Sequence, residues 1–252
     1  MLYSNEPEAR FDSKSLDLAL LALQELAERK SKKPLKYSRK DFNDFFNAIV
    51  AQDDQLQIEL IEKLIYQGVS LEKIYENLIP ETAEALGTLW KRDELSFVEV
   101  NIGAQRLHRL TRIYENRYLG PMYLSAEGPN ILMILPKGEI HTLGLITASG
   151  IFKKNGADPY VVVGYSISDI KKLLGVKPFK IIGMSISNSE NLDEAIKMAK
   201  SLKSSAHREI PIILGGNFIK SLDIKNPKLD IFDLISSDPE KVLNTYFPKT
   251  KD

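Results

Sequence analysis

The segment PKGEIHTLGLI, residues 136–146, places a histidine and a carboxylate where an apolar strand-like run gives way to a helix-like one. His141 is one of three histidines in 252 residues, and Glu139 precedes it by two positions. A neutral imidazole binds a metal ion through one ring nitrogen while a nearby carboxylate holds the other. The segment therefore suits a metal ligand, although an acidic residue at a helix start also has a purely structural explanation.

Composition narrows the chemistry that can surround this histidine. Lys plus Arg and Asp plus Glu both number 34, so no net charge attracts the chain to DNA or to an anionic membrane. The absence of cysteine excludes thiolate metal sites, disulfides and thiol nucleophiles. The N-terminus is polar and no apolar run is long enough to cross a bilayer, so we expect a cytoplasmic protein.

The first half of the chain has helical periodicity. Apolar residues recur every three to four positions in about five segments between Leu16 and Tyr118. Short polar breaks at QDDQ, QGVS and KRDELS are typical of connections within a helical bundle. We predict an N-terminal tail and helical cap bundle over residues 1–120, followed by a Gly- and Pro-containing linker at 121–129.

The second half, residues 130–252, alternates short apolar runs with amphipathic segments. Five runs, beginning with NILMILP, are expected to be strands. This β-α alternation predicts a flavodoxin-like five-stranded parallel sheet, and hence a fold class of α followed by α/β. Ligands of such sheets bind at the carboxyl ends of the strands, which is where His141 is expected.

Small residues follow several of these strands. Ser185 ends the third, and Gly215 and Gly216 end the fourth, while Gly144 follows the first by a few positions. Each has an ordinary explanation as a helix cap, a turn or a close approach. Together with one imidazole they predict a sheet edge that admits a bulky ligand.

The pattern Glu139-x-His141-x-x-Gly144, with Ser185 and Gly215-Gly216 at the expected intervals, resembles the cobalamin-binding Rossmann-like domain. The resemblance implies that His141 is the lower ligand of cobalt and that the nucleotide tail of the cofactor enters beside the small residues. Glu139 replaces the aspartate of the family motif, and Ser187 replaces its leucine. The cofactor-binding residues implied in this domain are Glu139, His141, Thr142, Gly144, Ser185, Ser187, Gly215 and Gly216.

The bundle of such proteins commonly covers the upper face of the cofactor. Trp90 is then expected to pack over the corrin ring, or else to be the main core anchor of the bundle. In related light-sensing repressors that use adenosylcobalamin, a Glu-His pair follows this tryptophan, but Val100 and Asn101 stand there. This difference favours a hydroxocobalamin-type cofactor. The implied cofactor-facing residues of the bundle are Trp90, Glu99, Val100 and Asn101, whereas His108 is expected to be a satisfied or surface histidine.

The segment LSFVEVNIG and the glutamate-type motif look most like the AerR/PpaA group of photosynthesis-gene antirepressors. That resemblance implies a cobalamin-binding regulator, not an enzyme, that responds to light or redox state and counteracts a DNA-binding repressor. Residues before Asp41 are too few for a helix-turn-helix module, so we expect any effect on DNA to pass through the partner. The helix predicted from LDLALLALQELAERKSKK could dock on a partner, although an ordinary bundle helix is the simpler interpretation.

Two other functions fit the same motif. A corrinoid methyl-carrier protein of a methyltransferase system would also use His141. A haem-binding sensor would use His141 too, but haem has no nucleotide tail to explain Ser185 and the Gly-Gly turn. A mutase is not expected, because such enzymes need a large catalytic barrel.

Overall fold

The computed structural model describes residues 36–248, apart from 52, 54 and 121–127. Its first part is helical and its second part is a five-stranded parallel sheet, which confirms the predicted fold class. The helix predicted between Leu16 and Lys33 lies outside the described residues. The predicted linker lies largely outside them too.

The helical part contains α1 (Arg39–Val50), α2 (Leu56–Tyr66), α3 (Leu71–Lys73), α4 (Ile79–Lys91) and α5 (Phe97–Leu119). A π-helical segment, Ile74–Leu78, joins α3 to α4 without a break. Capping boxes begin α1 at Ser38 and α5 at Ser96, because each serine and the acidic residue three positions later satisfy each other's free backbone N–H group. The predicted breaks at QGVS and KRDELS therefore coincide with real helix ends.

The sheet part contains β1 (Asn130–Leu135), α6 (Thr142–Lys154), β2 (Asp158–Val163), α7 (Ile167–Val176), β3 (Ile181–Ser185), α8 (Glu190–Lys203), β4 (Ile212–Gly215), β5 (Leu234–Ile235) and α9 (Pro239–Tyr246). The strand order is β2-β1-β3-β4-β5, with all neighbours parallel. This order places β1 and β3 side by side, so their carboxyl ends form one continuous edge.

One crossover departs from the strict β-α alternation. Between β4 and β5 the chain forms two short 3-10 helices, Asn217–Ser221 and Pro227–Leu229, instead of an α-helix. The Asn226–Pro227 dipeptide explains part of this, because the asparagine side chain accepts a hydrogen bond from the backbone of Lys228 and caps the turn.

Helix α6 joins the two parts of the molecule. Its Leu143 belongs to the apolar core of the bundle, whereas Leu145 and Phe152 belong to the core beneath the sheet. Gly150 lies against Tyr75 of the bundle, and a Cβ atom at this glycine would stand 2.7 Å from the phenol oxygen. The helix that begins at His141 is therefore packed on both sides.

Polar contacts cross the same boundary. Lys153 donates to Glu115 at 2.7 Å, and Lys154 donates to Glu72 at 2.6 Å. Two more are formed by Lys220 with Glu84 and by Thr142 with His108. Within the described ranges, none of the helices is long and apolar enough to cross a bilayer.

Candidate functional site

The site begins where β1 ends. A tight turn follows Leu135, in which the N–H of Glu139 donates to the carbonyl of Pro136 at 3.1 Å. Gly138 has φ +94°, a conformation that side chains rarely adopt, so glycine suits this turn. The turn places His141 at the N-cap of α6, although its side chain makes no capping hydrogen bond. The imidazole is therefore available for another role.

The carboxylate of Glu139 is buried, and its side chain is only 1% exposed. Besides its contact with the His141 ring, it accepts hydrogen bonds from five groups. These are the backbone N–H groups of Ile140, His141 and Ser187, the Ser187 hydroxyl, and the amide of Asn191. Burial alone would raise the pKa of Glu139, but the hydrogen bonds from His141 and Ser187 outweigh it and hold that pKa far below its usual range. Glu139 is therefore an ionised acceptor.

His141 is held through one ring nitrogen. Its Nδ1 lies 2.6 Å from Glu139 Oε1 and 2.7 Å from Ser187 Oγ. An ionised carboxylate can only accept, so the proton of a neutral ring lies on Nδ1 and the lone pair lies on Nε2. The His141 side chain is 57% exposed, so Nε2 is accessible as a ligand.

The other motif residues line the same strand ends. Ser185 and Gly215 are direct partners in the register of β3 and β4. Gly216 has φ +95°, and a Cβ atom there would stand 2.1 Å from the carbonyl oxygen of Ile186, so close backbone packing requires this glycine. Gly144 differs, because an added Cβ atom would meet nothing within 4 Å. Gly144 therefore faces open space beside the histidine loop.

In the bundle, Trp90 is 45% exposed and stacks at an angle on Phe97, with 6.4 Å between ring centroids. The alternative that Trp90 is the main core anchor is therefore wrong. Phe97, Val98 and Ile102 are also exposed and continue this apolar surface around the start of α5. Three exposed apolar side chains at the start of α5, together with Trp90 near the end of α4, are suited to covering a large apolar ligand.

The three neighbouring residues implied by the family resemblance occupy different environments. Glu99 closes the capping box, since its carboxylate accepts from the hydroxyl of Ser96 at 2.7 Å, and this hydrogen bond lowers its pKa. Val100 packs partly buried against the bundle core. Asn101 is exposed and donates to the carbonyl of Phe97 at 2.9 Å. Glu99 uses only Oε2 in the capping box, and Asn101 uses only its amide nitrogen, so each keeps a second oxygen outside these hydrogen bonds.

His108 on α5 reaches the histidine loop from the bundle. Its Nε2 lies 3.1 Å from Thr142 Oγ1, and Thr142 directly follows His141 in the chain. The ring is half-buried, and this burial, with the nearby charge of Arg112, lowers its pKa. His108 therefore carries a hydrogen bond between the bundle and the loop, whereas the sequence predicted only a surface or satisfied histidine.

Sequence reasoning missed Asn191. Its side chain is buried in the first turn of α8 and donates to Glu139 Oε2 at 2.9 Å. An asparagine early in a helix reads as an ordinary polar residue, so only its position behind the carboxylate reveals this contact. For Ser187 the sequence likewise showed only that it replaces the leucine of the family motif, and not that it contacts Glu139 and His141.

The donor set restricts what His141 could bind. Among the residues that the structure describes, no three His, Asp or Glu side chains are grouped closely enough to hold a metal ion. A single exposed imidazole suits a metal that brings its other ligands with it, as cobalt does in a corrin and iron in a porphyrin. The exposed imidazole and the open space at Gly144 fit such a group.

The amino-acid sequence was compared with protein families and with individual proteins. No protein-family model matches the chain. It is 25% identical over 151 residues to the "uncharacterized 20.5 kDa protein in bchF-crtJ intergenic region" of Rhodobacter capsulatus, a match that covers 60% of this chain and 79% of that protein.

Among solved structures, the monomethylamine corrinoid protein of Methanosarcina barkeri superposes with a TM-score of 0.68 and 13% identity, over 83% of this chain and 98% of that one. A cobalamin-binding protein of Desulfitobacterium hafniense gives a TM-score of 0.42 with 13% identity, over 81% of this chain and 98% of that one. The chain therefore has a helical region followed by the cobalamin-binding Rossmann-like fold of the corrinoid proteins.

Proposed function

We propose that this protein binds cobalamin through His141 and acts as a light- or redox-responsive regulator that works on a partner protein. The observation that carries the proposal is the geometry of His141, whose Nδ1 is fixed by Glu139 while Nε2 is exposed. Cobalamin would supply a cobalt ion that responds to light or to redox state. His141 would hold the cobalt, and Ser185, Gly144 and Gly215 would leave space for the nucleotide tail.

The contacts between bundle and sheet support a signalling role. The loop of His141 touches the bundle through Thr142 and His108, and α6 carries the ion pairs of Lys153 and Lys154 to the same bundle. A ligand state that packs differently against Trp90 would change the preferred arrangement of these contacts. Such a shift requires that the two states differ in their contact energy with the bundle.

The regulator interpretation rests on two further supports. The sequence resembles the AerR/PpaA antirepressors in the segment around Trp90 and Glu99. In addition, the relative from R. capsulatus is encoded in a photosynthesis gene region, between bchF and crtJ. The partner in this proposal is a DNA-binding repressor of photosynthesis genes, and the favoured cofactor is of the hydroxocobalamin type.

Absorption spectroscopy of the purified protein tests the proposal. Wild type, His141→Ala and His207→Ala are each mixed with hydroxocobalamin, methylcobalamin, adenosylcobalamin or haem, passed through gel filtration, and measured in darkness and after illumination. His207 is a matched control, because it lies in the loop before β4 and is not part of the histidine network. We expect a corrinoid spectrum that depends on His141, persists in the control variant and changes on illumination.

The outcomes separate the alternatives. Failure of wild type to retain any corrinoid would contradict the proposal, and retention of haem instead would support the haem sensor. The protein could retain cobalamin while its association with a repressor responds neither to light nor to redox state. That result would support cobalamin binding and contradict the regulatory role.

A second candidate, the methyl-carrier protein, is favoured by the likeness to the monomethylamine corrinoid protein. Its test is methyl transfer: the methylcobalamin-loaded protein is mixed with a corrinoid-dependent methyltransferase and a thiol acceptor. Turnover that is lost in His141→Ala would favour the methyl-carrier function over the regulator. A stable methyl group under these conditions, together with light-dependent binding of a repressor, would favour the regulator.

A further inference from the structure

Ser187 occupies a position between the ring of His141 and the carboxylate of Glu139. Its hydroxyl lies 2.7 Å from His141 Nδ1, 2.9 Å from Glu139 Oε1 and 2.7 Å from Glu139 Oε2. Its backbone N–H also donates to Glu139 Oε2 at 2.7 Å. This residue follows β3 by two positions, so it links the end of β3 to the loop after β1.

The directions of these hydrogen bonds follow from the groups involved. A hydroxyl has one proton, and Glu139 is an acceptor only, so the Ser187 proton points to the carboxylate. The Ser187 oxygen then accepts from Nδ1–H of His141, which it shares with Glu139 Oε1. The opposite arrangement would place the bare lone pair of Nδ1 2.6 Å from a charged oxygen, which is repulsive.

We infer that Ser187 is a positioning residue: it gives Nδ1–H a second acceptor, which fixes the ring orientation and the tautomer that leaves Nε2 free to bind cobalt. This inference rests on the proposed cobalamin function for its final step. In the family motif that the chain resembles, an apolar leucine stands here and cannot accept a hydrogen bond. The Ser187 hydroxyl occurs together with Glu139, which is one methylene longer than the aspartate of the family motif. The carboxylate of Glu139 therefore contacts His141 Nδ1 through a side chain with one additional rotatable bond.

Three other groups hold the carboxylate but cannot do the same for the ring. Asn191 donates only to Glu139 Oε2, and the backbone N–H groups of Ile140 and His141 donate to Oε1. Within the described residues, Ser187 is the one side chain besides Glu139 in hydrogen-bond contact with Nδ1. Removal of its hydroxyl should therefore affect the ring more than it affects the carboxylate.

The test combines a measurement without cofactor and one with it. Side-chain ¹H–¹⁵N NMR of the cofactor-free protein reports the tautomer of each histidine, and with three histidines His141→Ala assigns the signal. Affinity for hydroxocobalamin is measured by absorption titration. The variants are Ser187→Ala, Ser187→Leu and the hydroxyl-retaining Ser187→Thr. Ser189→Ala is the matched control, since Ser189 is exposed and makes no capping hydrogen bond.

We expect wild type, Ser187→Thr and Ser189→Ala to show one Nδ1–H signal for His141, and Ser187→Ala and Ser187→Leu to show a mixture with the Nε2–H form. The same two variants should bind hydroxocobalamin about 10-fold or more weakly, as is usual when a residue behind a metal ligand is removed. Circular dichroism identifies any variant that fails to fold. If Ser187→Leu does so, the smaller change, Ser187→Ala, is compared with the hydroxyl-retaining Ser187→Thr.

A single Nδ1–H signal in Ser187→Ala, with unchanged cobalamin affinity, would overturn the inference. If wild type binds no corrinoid, the proposed function fails, but the tautomer spectra of the cofactor-free variants still decide whether Ser187 positions the ring. A loss of affinity that Ser187→Thr does not restore, with an unchanged tautomer, would show a packing effect and also overturn it.

Discussion

Glu139 Oε1 lies 2.6 Å from His141 Nδ1, and only one residue separates the two in sequence. This short loop is possible because Gly138 turns the chain with positive φ, so that the carboxylate points back beneath the ring while the ring points outward. The result is a buried, ionised oxygen behind an exposed imidazole. The protein alone therefore provides the arrangement that the proposed lower ligand requires.

Glu139→Gln should destabilise the sheet domain. The substitution replaces one acceptor oxygen by an amide NH₂ group that faces N–H and O–H donors, and unmatched buried groups of this kind cost about 2 kcal/mol. Urea unfolding followed by far-ultraviolet circular dichroism measures the loss. Glu209→Gln, at an exposed glutamate, is the control and should change the free energy of unfolding by less than ~0.5 kcal/mol. Equal stability of the two variants would contradict the assigned network.

Two of the motif glycines, Gly216 and Gly144, should respond oppositely to the same substitution. Gly216→Ala introduces a Cβ atom 2.1 Å from a backbone oxygen at positive φ, so we expect a loss of several kcal/mol or a failure to fold. Gly144→Ala meets nothing within 4 Å, and alanine stabilises a helix by about 0.5–1 kcal/mol relative to glycine.

A larger side chain at the second of these positions tests ligand entry. Gly144→Leu should fold normally and yet retain less hydroxocobalamin after gel filtration, because its side chain occupies the open space beside the histidine loop. Thermal unfolding and the absorption spectrum measure the two effects separately. A Gly144→Leu protein that binds cobalamin as wild type does would place the nucleotide tail elsewhere.

The ion pair between Glu72 and Lys154 should make the attachment of the bundle pH-dependent. Burial raises the pKa of Glu72, but the hydrogen bond and charge of Lys154, together with hydrogen bonds from the backbone and from Ser70, outweigh it, so the folded pKa lies below the ordinary value. Its contribution is therefore fully present above the unfolded pKa of about 4.3 and is lost as pH falls through the folded pKa. Because the pair is partly exposed, we expect no more than about 1 kcal/mol.

Lys154→Met tests this contribution. The variant should be less stable than wild type at pH 7 and should lose less stability between pH 7 and pH 3, as measured by thermal unfolding across that range. Lys172→Met is a suitable control, since Lys172 pairs only loosely with Asp169 on an exposed face. A parallel pH dependence of wild type and Lys154→Met would show that the pair makes no measurable contribution.

Trp90 should report cofactor binding directly, because it is the sole tryptophan of the chain and is 45% exposed. We expect efficient quenching of its emission by acrylamide in the cofactor-free protein. Hydroxocobalamin should quench the emission and protect the remaining signal from acrylamide. Unchanged acrylamide access in the cobalamin-loaded protein would contradict the placement of the bundle over the corrin, and His141→Ala serves as the non-binding control.

The sequence by itself determined the fold class, the five strands and the position of His141 after the first of them. These features depend on hydrophobic periodicity and turn residues, which are local properties of the chain. The family motif also located Glu139, Ser185 and the Gly-Gly turn, because their spacing along the chain is characteristic. The crossover between β4 and β5 departed from the alternation where Asn226–Pro227 favours a turn.

Only the tertiary structure decided which residues surround the histidine. Ser187 and Asn191 are 46 and 50 residues from His141 in sequence, but the pairing of β1 with β3 brings them behind Glu139. Likewise, the exposure of Trp90 and the contact of His108 with Thr142 depend on how the bundle packs against α6. Such contacts are fixed by the packing of distant segments, for which a single sequence carries no local pattern.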